Sequence, residues 1–354
     1  MALWLIRAGR NGEYEQKFLD ESRVYLCWND LDADLSKVDD RDGLREVLER
    51  TYPDAKTGRV RQNSGQIWAF AKKMQPGDWV VVPSKFGPSI HVGEITGDYT
   101  HHPEGPNPYF HFRAVRWIEQ DIPRTNFDQD ILYSLGAFLT ICQIKRNDAE
   151  RRIREMAKTG WKAGATTAAR IATSGPDATA DDADIDTDES GLEIDLEQQA
   201  RDQITRHIIA KFKGHGLARL VGEILKAQGY TIHQPPEGPD RGIDLLAAPG
   251  PLGFGEPRIV VQVKSQESAL DRPTLDQLLG TMSNVQADRG LLVCWGGFKS
   301  TVKREEAQQF FRVRLWDSAD LIENLLAVYN KLDDDLKTEI PLKPIWTLAM
   351  GEDE

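Results

Sequence analysis

Two short stretches of this chain hold side chains that together could hydrolyse a phosphodiester. Asp244 sits at the start of an apolar run over residues 243–248, and the β-prone segment 259–263 carries Gln262 and leads into Lys264. Side chains alternate across a strand with period two, so Gln262 and Lys264 share one face while Val261 and Val263 take the other. If the two segments pair as a hairpin across the Gly/Pro-rich connection between them, Asp244 comes to lie beside Gln262 and Lys264. A carboxylate, an amide carbonyl and an ammonium then converge. Mg²⁺ takes oxygen ligands and is usually held by one or two carboxylates, keeping water and substrate phosphate in its other positions, and Mn²⁺ can substitute. A nearby lysine can orient or deprotonate the attacking water, or stabilise charge developing on the phosphate. Triplets of this kind recur by chance in long chains, and the order of surrounding elements is what gives this one weight.

Those elements can be read off the pattern. Residues 216–228 are amphipathic, with Leu217, Leu220, Val221, Ile224 and Leu225 on one stripe, and Gly229 ends the helix. A short strand at 230–233 precedes the two site strands. A helix over 273–284 follows, then a continuous apolar strand at 290–295, a helix at 301–311, a strand at 313–316 and a closing helix from 318. Strands alternating with helices in this way predict an α/β fold, a three-layer α/β/α core around a mixed sheet.

That order, with GIDLLA followed by VVQVKS, resembles the Mrr-type branch of the restriction-endonuclease-like PD-(D/E)xK nucleases over residues 214–329. The resemblance implies a catalytic set of Glu223 from the first helix, Asp244 from the second strand, and Gln262 and Lys264 from the third. It implies that Asp244, Glu223 and Gln262 hold Mg²⁺ (or Mn²⁺), and that Gln262 replaces the commoner Glu of the pattern. Glu223 interrupts the apolar stripe of its helix, a mismatch expected at a working site. The resemblance further implies an endodeoxyribonuclease of the modification-dependent, type IV-like kind. Its partner would be double-stranded DNA, with or without a modified base, in prokaryotic defence. One such site cuts one strand, so a homodimer or higher oligomer on DNA is expected.

Residues 1–158 read as a second, mixed α+β domain. Strands are expected at 3–7, 23–28, 79–83, 90–96 and 109–118, with helices at 42–52 and 64–74 and further helical segments packing across from 129 onward. The segments WLIRAG (4–9), RVRQNSGQIWAF (59–70), MQPGDWVVVPSK (74–85) and VGEITGDY (92–99) resemble the PUA-like superfamily, in particular its EVE-type modules. That resemblance implies a small barrel holding a flipped or modified base by stacking and edge hydrogen bonds. Trp28, Trp68, Trp79 and Tyr99 are the candidate walls. Arg59, Arg61, Asn63, Ser84 and Lys85 are the candidate polar contacts to base or phosphate.

The 354 residues carry a net charge of −12, which at first argues against a nucleic-acid partner. Residues 171–200 hold ten acidic residues and no Lys or Arg, so the remainder is near neutral and leaves room for a local basic surface. The Ala/Thr/Ser/Asp-rich region 159–198 is expected to be a flexible linker between the 1–158 module and a nuclease domain at 199–332, with a tail over 333–354. Cys27, Cys142 and Cys294 each lie in an apolar run and read as reduced thiols. With no membrane span expected, a cytoplasmic location follows. Two other functions fit the same pattern: a nucleic-acid-binding protein with an idle nuclease fold, and a nuclease switched on by a small signalling nucleotide.

Overall fold

The computed structural model describes residues 1–137, 139–161, 195–235 and 243–346. The expected acidic linker lies outside the described residues except at its two ends, as does the last part of the expected tail. Contacts divide the chain into two compact units, Met1–Gln199 and Ala200–Glu354.

The first unit runs β1 (Leu3–Ile6), α1 (Glu15–Glu21), β2 (Arg23–Tyr25), α2 (Arg41–Thr51), α3 (Thr57–Trp68), β3 (Trp79–Pro83), β4 (Ser89–Ile95), β5 (Thr100–His101), β6 (His111–Pro123), α4 (Gln129–Ser134), β7 (Ile141–Gln143) and α5 (Ala149–Lys158). Its strands form one mixed sheet in the order β2-β6-β4-β3-β1-β7, with β5 also on β6. β1 lies parallel to β3, Leu3 opposite Trp79, and both strands are buried on both faces. That double burial explains their unbroken apolar runs. Trp4, Ile6, Val80 and Val82 pack into one core with Phe18, Leu44 and Ile67 from α1, α2 and α3. Leu3, Leu5, Trp79 and Val81 pack on the opposite face with Ile131 and Ile153 from α4 and α5. The start of β6 pairs with β2 and β5 and its remainder with β4, so the sheet folds over as a half-barrel, the form the expected small barrel takes.

The helix expected at 64–74 begins about two turns earlier, at Thr57, with no side-chain cap. Its end, Ala69–Lys73, opens into a π-helical turn. The cause is Arg113, 2% exposed, which donates from Nε to the Phe70 carbonyl at 2.8 Å and from Nη2 to the Ala71 carbonyl at 3.1 Å. A buried guanidinium thus satisfies carbonyls that the widened turn leaves without helical partners.

The second unit is built from α6 (Leu196–Phe212), α7 (His215–Ala227), β8 (Tyr230–His233), β9 (Leu245–Pro249), β10 (Ile259–Lys264), α8 (Arg272–Asn284), β11 (Arg289–Cys294), α9 (Ser300–Gln308), β12 (Val313–Trp316), α10 (Ser318–Val328) and α11 (Asp334–Glu339). The sheet order is β12-β11-β10-β9-β8, with β10, β11 and β12 parallel and β8 and β9 antiparallel. Residues of α6, α7, α10 and α11 cover the face of Val261 and Val293; those of α8 and α9 cover the face of Val260 and Leu292. This is the expected three-layer α/β/α core with a mixed sheet. The helix α11 falls in the expected tail, and Leu336 and Ile340 are buried in the first of these two cores. The Glu339 carbonyl accepts from His207 Nε2 at 2.7 Å and from Lys211 Nζ at 3.1 Å, and its carboxylate accepts from Arg219 at 2.6 Å.

Candidate nuclease site

Asp244 stands at the mouth of the β9–β10 hairpin. Its N–H donates to the Val261 carbonyl at 3.0 Å, and its Oδ2 accepts from the Val263 N–H at 2.7 Å. The carboxylate is therefore fixed against β10 within two residues of both Gln262 and Lys264. Val261 belongs to the core beneath α7 and α10 and Val260 to the core beneath α8, so Gln262 and Lys264 lie on the Val260 face. Register extends the placement: Gln262 sits opposite Leu292 and Lys264 opposite Cys294 on β11.

The chemistry of Gln262 is unusual for a strand interior. The residue is 1% exposed, and neither its Oε1 nor its Nε2 has a hydrogen-bond partner. An unsatisfied buried polar atom costs about 1–3 kcal/mol, and such atoms in a native fold mark a place for an ion, water or ligand. Lys264 is half-buried and forms no ion pair with any described carboxylate. Backbone register thus sets a fixed carboxylate, an unpartnered amide and an ammonium without a described carboxylate partner on neighbouring positions at the end of one hairpin.

Glu223 is placed differently from the other three. It is half-exposed on α7 and pairs with Lys226 one turn on, at 3.3 Å. The α7 face that meets the sheet is that of Ala218 and Gly222; a Cβ on Gly222 would lie 3.5 Å from Leu245. The hydrogen bond from Gly214 N–H to Ser265 Oγ (3.1 Å) pins the start of α7 to the Lys264 end of β10, which leaves Glu223 more than two turns along. Among the described residues no three His, Cys, Asp or Glu side chains group as a metal site. The oxygen-bearing side chains at neighbouring positions of the hairpin are those of Asp244 and Gln262.

A mixed sheet sandwiched by helices, with Asp and Gln-x-Lys at the ends of its second and third strands, defines a restriction-endonuclease-like core. The family comparison agrees: residues 209–325 match the catalytic domain family Mrr_cat, described as a restriction endonuclease, so the second unit carries such a domain. Residues 4–134 match a separate family, the domain of unknown function DUF8426. No match is found among curated proteins. Among solved structures, the DNA modification-dependent restriction endonuclease AspBHI aligns over 80% of this chain and 72% of its own, at 11% identity and a TM-score of 0.33. The MspJI restriction endonuclease in complex with a 27-mer oligonucleotide aligns over 92% of this chain and 75% of its own, at 14% identity and a TM-score of 0.26.

In the first unit the expected contact residues do not share one surface. Trp79 is 8% exposed in the core beneath α4 and α5, with the Arg154 guanidinium 4.3 Å over its ring. Trp28, Trp68 and Tyr99 pack against the core on the other side of the sheet, so Trp79 cannot wall a slot with them. Tyr99 is further committed: its hydroxyl accepts from the Leu35 N–H at 3.1 Å and lies 2.7 Å from His111 Nδ1. Arg59 and Arg61 are exposed on the first turns of α3, and Asn63 is half-exposed there. Ser84 and Lys85 lie in the β3–β4 turn, where Ser84 Oγ and the Lys85 N–H both donate to the buried Glu15 carboxylate, at 2.7 and 3.1 Å. His91 Nε2 lies 3.1 Å from the same carboxylate. Burial would push Glu15 up, but the bonds from His91 and Ser84 outweigh it and hold the carboxyl below its ordinary range.

Sequence reasoning missed an aromatic group on the β2–β6 side. Tyr109 meets Tyr14 and Tyr25 edge-on, with centroids 5.6 and 5.2 Å apart, and Lys17 lies 4.7 Å over the Tyr109 ring. Tyr14, Tyr109 and Phe112 are all half-exposed. Their spacing of nearly a hundred residues hid them; only the antiparallel pairing of β2 with β6 brings them together.

Proposed function

We propose that the chain is a Mg²⁺-dependent DNA endonuclease of the modification-dependent, type IV-like kind. In this reading the second unit cleaves and the first reads an altered or flipped base. The observation that carries it is Gln262, a buried amide without partners, set beside Asp244 and Lys264 in a domain matching a restriction endonuclease family. An amide oxygen and a carboxylate are the hard oxygen donors that Mg²⁺ or Mn²⁺ takes, leaving its other positions to water and phosphate. Bound there, the ion would supply Lewis-acid polarisation of the scissile phosphate and acidify a coordinated water.

The chain's own residues divide the remaining work. Asp244, held by the Val263 N–H, presents its carboxylate without reorganisation. Lys264 brings a positive charge with no described carboxylate partner to the developing charge of the pentavalent phosphate and orients the attacking water. Glu223 enters this set only by leaving Lys226, an exposed pair worth roughly 0.3–0.5 kcal/mol. In the first unit, half-exposed Trp28, Tyr14, Tyr109 and Phe112 offer stacking surface, and Arg59, Arg61, Asn63, Ser84 and Lys85 offer polar contacts.

A supercoiled plasmid, methylated or not, incubated with Mg²⁺, Mn²⁺ or EDTA tests the reading. Cleavage of the modified plasmid is expected with either metal, none with EDTA, and none by Lys264→Ala. Cutting that survives Lys264→Ala would place the active site elsewhere, and equal cutting of both plasmids would remove the base-reading role.

A further inference from the structure

The end of the first sheet where β1 and β3 stop gathers three cations from distant parts of the chain. β1 and β3 run parallel with Leu5 opposite Val81, so Arg7 and the Ser84–Lys85 turn leave the sheet at the same end. The loop after β1 lies against that turn: a Cβ on Gly12 would stand 2.9 Å from the Lys85 Cβ. Arg124 arrives at the end of β6, its N–H donating to the Pro88 carbonyl of the same turn at 2.9 Å. Arg7 donates from Nη2 to the Ala137 carbonyl at 2.8 Å, while its buried Nε has no hydrogen-bond partner. Lys85 is exposed and forms no ion pair with a described carboxylate. Asp195 reaches this rim at Gly136, next to Ala137, where its N–H donates to the Gly136 carbonyl at 3.1 Å.

Like charges so placed repel. Arg7 is held below its ordinary value by burial first, with Arg124 adding repulsion. Lys85, exposed but partly shielded by neighbouring atoms, is lowered by that partial burial first and then by repulsion from Arg7 and Arg124. Asp195 opposes the shift at both, and Glu197 at Lys85. A site that concentrates positive charge and leaves a guanidinium N–H unmet is complementary to a phosphate.

We infer that Arg7, Lys85 and Arg124 form a binding site for a phosphodiester of the nucleic-acid backbone, and that Asp195 is the intrachain carboxylate a bound phosphate displaces. The inference rests on the DNA-directed reading above and adds Arg7 and Arg124 to it. The site positions the first unit on a duplex and leaves base choice to other residues.

The test is fluorescence anisotropy of a labelled duplex bound to the full chain carrying Lys264→Ala, over a series of KCl concentrations. Lys85→Gln and Arg7→Gln are each expected to weaken binding roughly 3–10-fold and to reduce the slope of log K against log salt by about 0.9. Asn caps a helix as well as Asp, so Asp195→Asn retains the cap on α6, seen in the 2.9 Å bond from the Gln198 N–H to Asp195 Oδ1. It removes the competing charge and is expected to tighten binding about 2–5-fold at low salt, an effect lost at high salt. Lys85 is exposed, so its variant reports even if Arg7→Gln unfolds. Duplex binding that persists with unchanged slope in Lys85→Gln overturns the inference alone. No duplex binding by the parent overturns the DNA reading and the inference with it. Saturable binding of a mononucleotide that Lys85→Gln abolishes, with the duplex slope unaltered, would reassign the rim to free nucleotides and overturn the inference as stated.

Discussion

Gln262 holds two buried hydrogen-bonding atoms in a place where an apolar side chain would cost nothing. Gln262→Met is therefore expected to stabilise the protein by about 1–2 kcal/mol, read as a higher Tm, while cleavage falls at least a hundredfold. A Tm that drops would mean the amide has partners in solution. Asp244→Asn is expected to lower cleavage by at least a thousandfold, since an amide cannot replace the charge at that position. Glu223→Gln is expected to change it less than threefold, because Glu223 lies more than two turns along α7 from the end pinned beside Lys264; a loss as deep as that of Asp244→Asn would restore Glu223 to the metal set. The contrast shows what the sequence could carry at this scale. Period-two alternation and a hairpin bring Asp244, Gln262 and Lys264 together by local rules. The rotation of α7 about its axis depends on how Gly222 seats on Leu245, a packing choice that no local rule states.

At the scale of elements, the second unit was legible almost strand by strand because each strand is bounded by glycine, proline or a capped helix. The first unit was less so, and the shortfalls trace to buried polar side chains. Arg113 widens the end of α3 into a π turn, and a cation so far along the chain leaves no mark on the periodicity of residues 57–73. Arg113→Met should strand the Phe70 and Ala71 carbonyls and cost about 2–4 kcal/mol, measurable by urea unfolding. His111 fixes the loop after β2 in a similar way, its Nε2 donating to the Leu31 carbonyl at 2.7 Å and its Nδ1 accepting from Tyr99. Burial pushes this imidazole from 6.5 down to about 4. Above pH 6.5 it is neutral in both states and nothing is lost. Between 6.5 and about 4 the unfolded chain takes a proton that the fold refuses, so stability falls with pH by about 3 kcal/mol across that window. The Tm of His111→Gln should be lower at neutral pH and fall less steeply through this range; parallel curves for the two proteins would rule the imidazole out.

At the scale of the whole molecule, the proposed reading gives the chain one hairpin site, and one such site would sever one strand. Nicking of a plasmid is expected to rise in proportion to protein concentration and linearisation more steeply, as two copies must act. Linear product that keeps strict proportion to nicked product at every dilution would argue for a single chain cutting twice. The acidic run that dominates the net charge was plain in the composition, yet composition could not say that its end, at Asp195, returns to a basic rim. Among the described residues no helix is long and apolar enough to cross a membrane.

The short helix α11 ties the far end of the chain to α6 and α7 through Glu339, and seats Leu336 and Ile340 among core side chains. A stop codon after Leu332 would therefore strip the hydrophobic cover from a nuclease domain whose family match already ends at residue 325. An expression boundary drawn from that match would yield insoluble material.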